Sequence, residues 1–542
     1  MTDASLKSAY FLGVDVGTGS ARAGVFSAEG VLCGTEKAAI QLYREGATLV
    51  EQSSTEIWQA VVSACRGALA AAGINGGQIA GIGFDATCSL VVLGPGGTPL
   101  PVGAADRPDR NIIVWMDHRA LEQTDRINAG GHAVLDYVGG RISPEMETPK
   151  LLWLKEQRPE VYAAAWQFMD LTDFLTWKAS GDLARSVCTV TCKWTYLAHE
   201  GRWDAEYFRA IGLGDLTERD FARIGAKVVP AGAALGTGLT PEAAAELGLP
   251  VGTPVSAGLI DAHAGGIGSV GARDGGGATA SLAYVFGTSS CTMTSTEKPV
   301  FVPGVWGPYY SAMVPGLWLN EGGQSAAGAA MEALLALHPH AALAREQARE
   351  QGLSLPDWLA GEAEARLGDG TDPTSLARGV HVVPEFLGNR APFADPHTRA
   401  VVAGLGMDQG LDSLLSLYVA GLCGIGYGLR QIIEAQCDAG APVRRIVISG
   451  GAGRSALIRQ VLADATGLDV AAPETAEPVL LGSALLGAVA AGRFFDIPQA
   501  MAAMTRCSAS YAPAGGEVAG LHLQRYEIFK ALQQVARRAV SV

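Results

Sequence analysis

No run of lysine or arginine occurs anywhere in this 542-residue chain, whose formal net charge is −14. That balance excludes a nucleic-acid surface and attachment to an anionic membrane, both of which need clustered positive charge. The opening residues, Met1 to Ala9, lack the apolar run of a signal peptide, and no stretch offers the ~18 uninterrupted apolar residues of a membrane span. A cytoplasmic protein is expected. The nine cysteines form no C-x-x-C pair, the closest being Cys188 and Cys192. With no histidine at ligand spacing beside them, buried free thiols are expected rather than a metal or iron–sulfur centre. Low-complexity and Pro/Ser-rich linkers are absent too, so the roughly two to four domains suggested by length pack closely. No G-x-x-x-x-G-K-[ST] occurs, which excludes a Walker loop.

What is present is a composition 48% apolar and 17% charged, rich in Ala and Gly, as in a large α/β protein. Two glycine hairpins of one type stand half a chain apart. The first runs from Phe11 through Gly13-Val14-Asp15-Val16-Gly17-Thr18-Gly19-Ser20 and returns over Ala23 to Phe26. The second is Val285-Phe286-Gly287-Thr288-Ser289-Ser290-Cys291, returning through Thr292 and Met293. Small residues let backbone N–H groups approach an anion, and hydroxyls add donors. Either hairpin alone is a bland turn; the repetition suggests a duplicated phosphate grip. Asp15 is placed on its strand to hold the divalent ion that accompanies a nucleotide.

Between the hairpins the pattern predicts a strand over Gly30 to Lys37, a helix from Thr55 to about Ala72 capped by Ser54 or Thr55, and a strand from Ile79 to Phe84. That strand ends in Asp85-Ala86-Thr87-Cys88-Ser89, where ligands usually sit. Residues 120 to 225 read as mostly helical. A second cycle follows the second hairpin, with strands around Trp306 to Met313 and Leu317 to Glu321. Helices are predicted at about 323 to 350, 355 to 367 and 409 to 438. The strand Arg445 to Ser449 then enters Gly450-Gly451-Ala452-Gly453 before a helix near Ser455. Such a turn exposes helix N-terminal N–H groups to a phosphate or flat ring, although it also serves plain packing.

Five ordered motifs, Gly13 to Thr18 with Arg22, Pro149 to Leu154, Gly258 to Gly266, Phe286 to Ser289 and Ser449 to Ala452, resemble the FGGY carbohydrate kinases. The resemblance implies an α/β, two-lobed actin-like ATPase (ribonuclease H-like) fold with a nucleotide cleft between duplicated domains. Residues 8–272 would form the sugar-binding lobe and 273–505 the nucleotide lobe, with 506–542 a tail packed on the core. The hinge is expected between Gly265 and Gly277.

By position Asp261 reads as a helix N-cap; by resemblance it is the general base, and both roles can coexist. The resemblance further implies ATP and Mg²⁺, with Asp15 and Asp261 at the metal. Thr18, Gly19, Ser20 and Arg22 would line the phosphates from one lobe, and Gly287, Thr288 and Ser289 from the other; Gly450, Gly451 and Ala452 would flank the adenosine. From the residues alone, Arg22 reads equally as a surface ion pair. Sugar contacts are expected in the first lobe from Asp85, Thr87, Asp117, His118, Lys193 and Glu321, since a polyhydroxylated ligand needs many fixed donors and acceptors. Taken singly, His118 reads as a surface residue and Lys193 as a snorkelling lysine. Phe84 to Val91 and Trp115 to Arg119 resemble the D-ribulose kinase branch, whereas xylulose kinases typically carry Gly-Gln-Met-His at the Asp85 position. Ribitol, L-ribulose and D-xylulose stay open as acceptors, as does an actin-fold ATPase that is not a kinase. A small-molecule sugar is the expected partner and a homodimer the family-level expectation. Leu259 and Ile260 replace a commonly Gly-rich segment, an alteration placed by resemblance at the pocket floor.

Overall fold

In the computed structural model, which describes residues 9–540 apart from 47, 104–106, 273–275, 369–371, 378 and 509, the chain builds two large mixed sheets. Residues 8 and 273–275, which mark the expected domain bounds, lie outside the described residues. The first sheet opens with β1 (Tyr10–Val16), which turns at Gly17 into β2 (Ser20–Ser27) and then β3 (Leu32–Ala39). Helix α1 (Ser54–Ala72) is capped by Ser53, whose side chain accepts the Glu56 N–H, and not by Ser54 or Thr55. Its Ile57, Trp58, Val61, Cys65 and Leu69 are buried at helical spacing and cover β2 and β3.

Strand β4 (Ile79–Ala86) is buried throughout and lies parallel to β1, with Asp85 beside Asp15. Helix α2 (Val187–Trp194) follows well downstream. Strand β5 (Leu259–Ile260) extends the sheet beside the end of β4, giving the order β5-β4-β1-β2-β3, and α3 (Asp261–Val270) begins at once. Because β5, β4 and β1 are parallel, their carboxyl ends share one edge. Leu259 and Ile260 are core residues, not a pocket floor. A separate antiparallel sheet, running from Tyr43–Glu45 to Gln167–Asp170, supports the loops after β4.

The second sheet repeats the opening with β6 (Ser281–Phe286) and β7 (Ser290–Thr296), followed by β8 (Trp306–Tyr310) and β9 (Trp318–Gly322). The helix expected over 323–350 is two helices, Gly328–Ala336 and Ala341–Glu350, because Pro339 lacks the N–H that would continue the ladder. Helix α4 (Leu411–Asp438) is long and apolar enough to cross a membrane by length and composition, but 78% of its apolar window is buried as a core element. Then come β10 (Arg445–Ser449), α5 (Ala456–Thr466), β11 (Asp469–Ala471), α6 (Pro478–Ala490) and α7 (Gly516–Val540). The sheet order is β8-β9-β7-β6-β10-β11.

Helix α6 returns to the first lobe. Its Leu480, Leu481, Ala484 and Leu485 share a core with Phe11, and a Cβ on Gly13 would stand 2.0 Å from the Leu480 carbonyl oxygen. The same helix packs on α3 so closely that a Cβ on Gly268 would meet the Pro478 carbonyl oxygen at 1.9 Å. Gly265, Gly266 and Gly268, at the start of the expected hinge segment, are helical; Gly265 and Gly268 face α6 and Gly266 faces Met313, while 273–275 of that segment lie outside the described residues.

Candidate active site

The edge shared by β1, β4 and β5 gathers three carboxylates. Asp15 and Asp85 are register neighbours, and Asp261 is the first residue of α3. Asp261 is not an N-cap: Ile260 holds that position without a capping side chain, and Asp261 Oδ1 accepts the Ala262 N–H at 2.7 Å. It is half-buried. Burial first, and then the neighbouring Asp15, push its carboxyl up to about 6, partly offset by the Ala262 N–H. A carboxylate so poised is suited to accept a proton near neutral pH. Asp85 was expected against the sugar, but the structure sets it beside Asp15, fully buried, with its Oδ2 accepting the Ser483 hydroxyl of α6. Burial, and next to it Asp15, hold Asp85 well above the usual carboxylate range.

Arg22, opposite Asp15 on β2, spends its guanidinium on Asp15 and on Glu477, the latter at 2.7 Å. It is an ion-paired anchor for Asp15. Three carboxylates share this edge with one guanidinium, and Asp85 Oδ1 lacks a hydrogen-bond partner among the described residues, a surplus of oxygen donors of the kind a divalent cation takes.

Both hairpin turns open outward. A Cβ on Gly19 would meet nothing within 4 Å, and at Gly17 or Gly287 the nearest atom would lie at 3.7 Å. The Thr18 hydroxyl accepts the Trp115 indole N–H at 3.0 Å, and the Thr18 carbonyl accepts Gln52 Nε2 at 2.8 Å. The Ser20 carbonyl closes the first turn by accepting the Gly17 N–H, and the Ser289 carbonyl closes the second by accepting that of Gly287. The Thr288 carbonyl accepts two N–H groups at the start of helix Gly328–Ala336. Beside this turn, Gly450 has φ +91° and a Cβ there would stand 2.3 Å from the Phe286 carbonyl oxygen, so only glycine fits. Gly451 borders open space. The Ala452 side chain lies outside what is described.

The remaining predicted sugar residues divide. Lys193, at the end of α2, is buried, with its ammonium 5.6 Å from the Trp306 ring centroid and no hydrogen-bond acceptor among the described residues. Its ammonium keeps an edge open to solvent, where a ligand oxygen can take the place of water. Glu321 lies on β9 of the second lobe, not in the first lobe as expected. Burial opposes its charge, yet the hydrogen bond from His263 and the nearby Lys193 bring it down to about 2. Thr87 is buried at the tip of β4, where its N–H bonds the Val16 carbonyl. Asp117 is consumed internally by Arg119 and by the Val50 N–H. His118 is half-exposed, with Nε2 3.9 Å from Glu145.

Sequence reasoning missed Glu145, Arg390 and Trp306. Arg390 lies 5.0 Å from the Trp306 centroid. Against burial, the nearby His118 and the charges of Arg390 and Lys193 keep Glu145 below its ordinary value. These side chains sit on loops and an edge strand with no local pattern to mark them. His263 and Cys188, 75 positions apart, also meet here, Nδ1 to Sγ at 3.1 Å.

Comparison with known proteins adds to this geometry. Residues 10–268 match the N-terminal domain, and 282–491 the C-terminal domain, of the FGGY family of carbohydrate kinases. The chain is 44% identical to an FGGY carbohydrate kinase domain-containing protein of Danio rerio, over 98% of this chain and 99% of the relative. It is 38% identical to a D-ribulokinase of Saccharomyces cerevisiae, over 90% of this chain and 72% of the relative. Among solved structures, a xylulose kinase from Rhodospirillum rubrum superposes with a TM-score of 0.79 at 22% identity, over 98% of this chain and all of that one.

Proposed function

We propose that this chain, which belongs to the FGGY family of carbohydrate kinases, phosphorylates a pentulose with ATP, foremost D-ribulose to D-ribulose 5-phosphate. The observation that carries the reading is the convergence of Asp261, Lys193 and Glu321, with Lys193 within electrostatic reach of both carboxylates. Lys193 donates to one sugar oxygen while Glu321 accepts from a hydroxyl. A ligand lacking either group forgoes one of these charged bonds, which is how the pairing discriminates. Asp261 takes the proton of the attacking hydroxyl as its oxygen bonds phosphorus and the bond to the leaving ADP breaks. Backbone N–H groups of the two turns face the phosphates. Mg²⁺, when bound at Asp15 and Asp261, neutralises charge on the phosphate oxygens.

The choice of D-ribulose is supported by Asp85 to Val91, which lacks the Gly-Gln-Met-His element, and by the yeast relative. An ADP-release assay across D-ribulose, L-ribulose, D-xylulose, ribitol and glycerol tests it. D-Ribulose is expected to give the highest kcat/KM. Faster turnover of another pentose would overturn the acceptor, and no sugar-stimulated turnover would overturn the kinase reading.

A further inference from the structure

A buried chain of contacts crosses from one lobe to the other behind the acceptor residues. On α2, Cys188 Sγ accepts the Ile260 N–H at 3.4 Å, one residue before Asp261, and faces His263 Nδ1 at 3.1 Å. On α3, His263 turns its other nitrogen, Nε2, to Glu321 Oε2 of β9 at 3.2 Å. Cys192, one turn beyond Cys188, completes a cluster in which sulfur and nitrogen atoms lie within 4.8 Å of one another. Two soft donors around one tetrahedral zinc would stand about 3.5 Å apart, given bonds of ~2.3 and ~2.0 Å. The shorter Sγ to Nδ1 separation is a direct hydrogen bond.

We infer that His263 is a positioning residue for the acceptor site, fixing Glu321 through Nε2 while Cys188 fixes the imidazole through Nδ1. A carboxylate on a long side chain has several rotamers, and a sugar bonding it must freeze them at an entropic cost. The His263 bond restrains Glu321 beforehand. It also ties β9 of the second lobe to α3 of the first, next to the base.

The inference rests on the proposed role of Glu321 in binding sugar, so the test separates the two. His263→Asn keeps an amide near Nδ1 and leaves Glu321 without its donor; His263→Gln keeps a donor near Nε2. Steady-state kinetics should give a pentulose KM about 20-fold higher for the Asn variant, as expected for a lost charged hydrogen bond. The Gln variant should stay within about fivefold of the parent, and the ATP KM should hold within about twofold in both. Should melting curves show that the Asn variant does not fold, Cys188→Ala and Cys188→Ser carry the test: Ala raises the pentulose KM about fivefold, and Ser restores it. With the parent protein active, equal pentulose KM in the Asn and Gln variants, or an ATP KM rising alongside, overturns the inference alone; under the fallback, so does an Ala variant with parental pentulose KM or one that Ser does not restore. An inactive parent overturns the kinase reading and the inference with it.

Discussion

Around the first hairpin, Val16 faces Ala21 across four turn residues, whereas around the second, Phe286 faces Ser290 across three. Each hairpin adjoins a parallel strand, β4 beside β1 and β10 beside β6, so the backbone plan is shared. Their attachments differ. The first carries Asp15, locked by Arg22, and its Thr18 is bonded by Trp115 and Gln52 from the acceptor side. The second carries no carboxylate. Its carbonyls accept N–H groups of the helix from Gly328, and Ser290 Oγ bonds Gln324, whose amide reaches the Ile425 carbonyl in α4. A duplicated turn has thus acquired one copy wired to the acceptor and another wired to its own lobe. The first should affect both substrates, and the second only the nucleotide.

The largest expected effect spares both hairpins. Asp261→Asn should lower kcat about 10³-fold, within the range for loss of a general base. Nucleotide affinity, measured by calorimetry, should stay within about threefold, because neither turn is altered. Retention of most activity would show that another group takes the proton.

Next comes the contrast between the hairpins. Asp15→Asn should lower kcat/KM about 100-fold and raise the Mg²⁺ needed for half-maximal rate, since it removes both an oxygen ligand and the partner of Arg22. Ser290→Ala loosens the second turn from Gln324 and should raise the ATP KM about fivefold with the sugar KM unchanged, the size of one neutral hydrogen bond. A sugar KM that follows Ser290 would break the proposed division.

Trp115→Phe is a finer probe. It removes only the indole N–H that bonds Thr18, worth about 1 kcal/mol or roughly fivefold. Both ATP and sugar KM should rise, because Trp115 lies in the acceptor segment while Thr18 lies in the phosphate turn. Saturation curves for each substrate, at fixed excess of the other, separate this outcome from a change confined to sugar.

The hairpins were legible in sequence because strand ends are punctuated by glycine, and β10 has the range the pattern assigned it. Asp261 and Lys193 were singled out through motif resemblance, and the fold brings them within electrostatic reach of each other. The pairing of Asp85 with Asp15 was not legible, since it depends on which parallel strands adjoin and at what register. The ion pairing of Arg22 was legible only as one of two readings, because its partner Glu477 comes from the far end of the chain, at the start of a helix that returns to the first lobe. Likewise, Cys188 looked like an inert thiol until folding brought His263 to it. Local pattern reports turns and faces; contacts closed by crossing helices leave little local trace.

The lobes also differ in how they store protons, and the smallest expected effect follows from it. In the first lobe, burial, partly offset by Lys150, pushes Glu147 up to about 7, and burial, partly offset by Arg185, pushes Asp173 up to about 6. Their folded forms bind protons that the unfolded chain has released, so their contribution weakens as pH rises from about 4 to 7. In the second lobe, His522 of α7 is buried between Thr374 and Tyr427, each at 2.9 Å, and burial brings it down to about 4. There the unfolded chain binds the extra proton, so stability is lost as pH falls from about 6.5 toward 4, at no more than about 1.4 kcal/mol per pH unit. Lowering the pH from 7.5 to 5.5 should therefore reduce amide protection factors, which are corrected for the slower intrinsic exchange in acid, along α7 and the adjoining part of α4, and raise them around Glu147 and Asp173. His522→Gln should remove the first change and leave the second. An acid-induced loss of protection of equal size in both lobes would show that the asymmetry does not govern their opening.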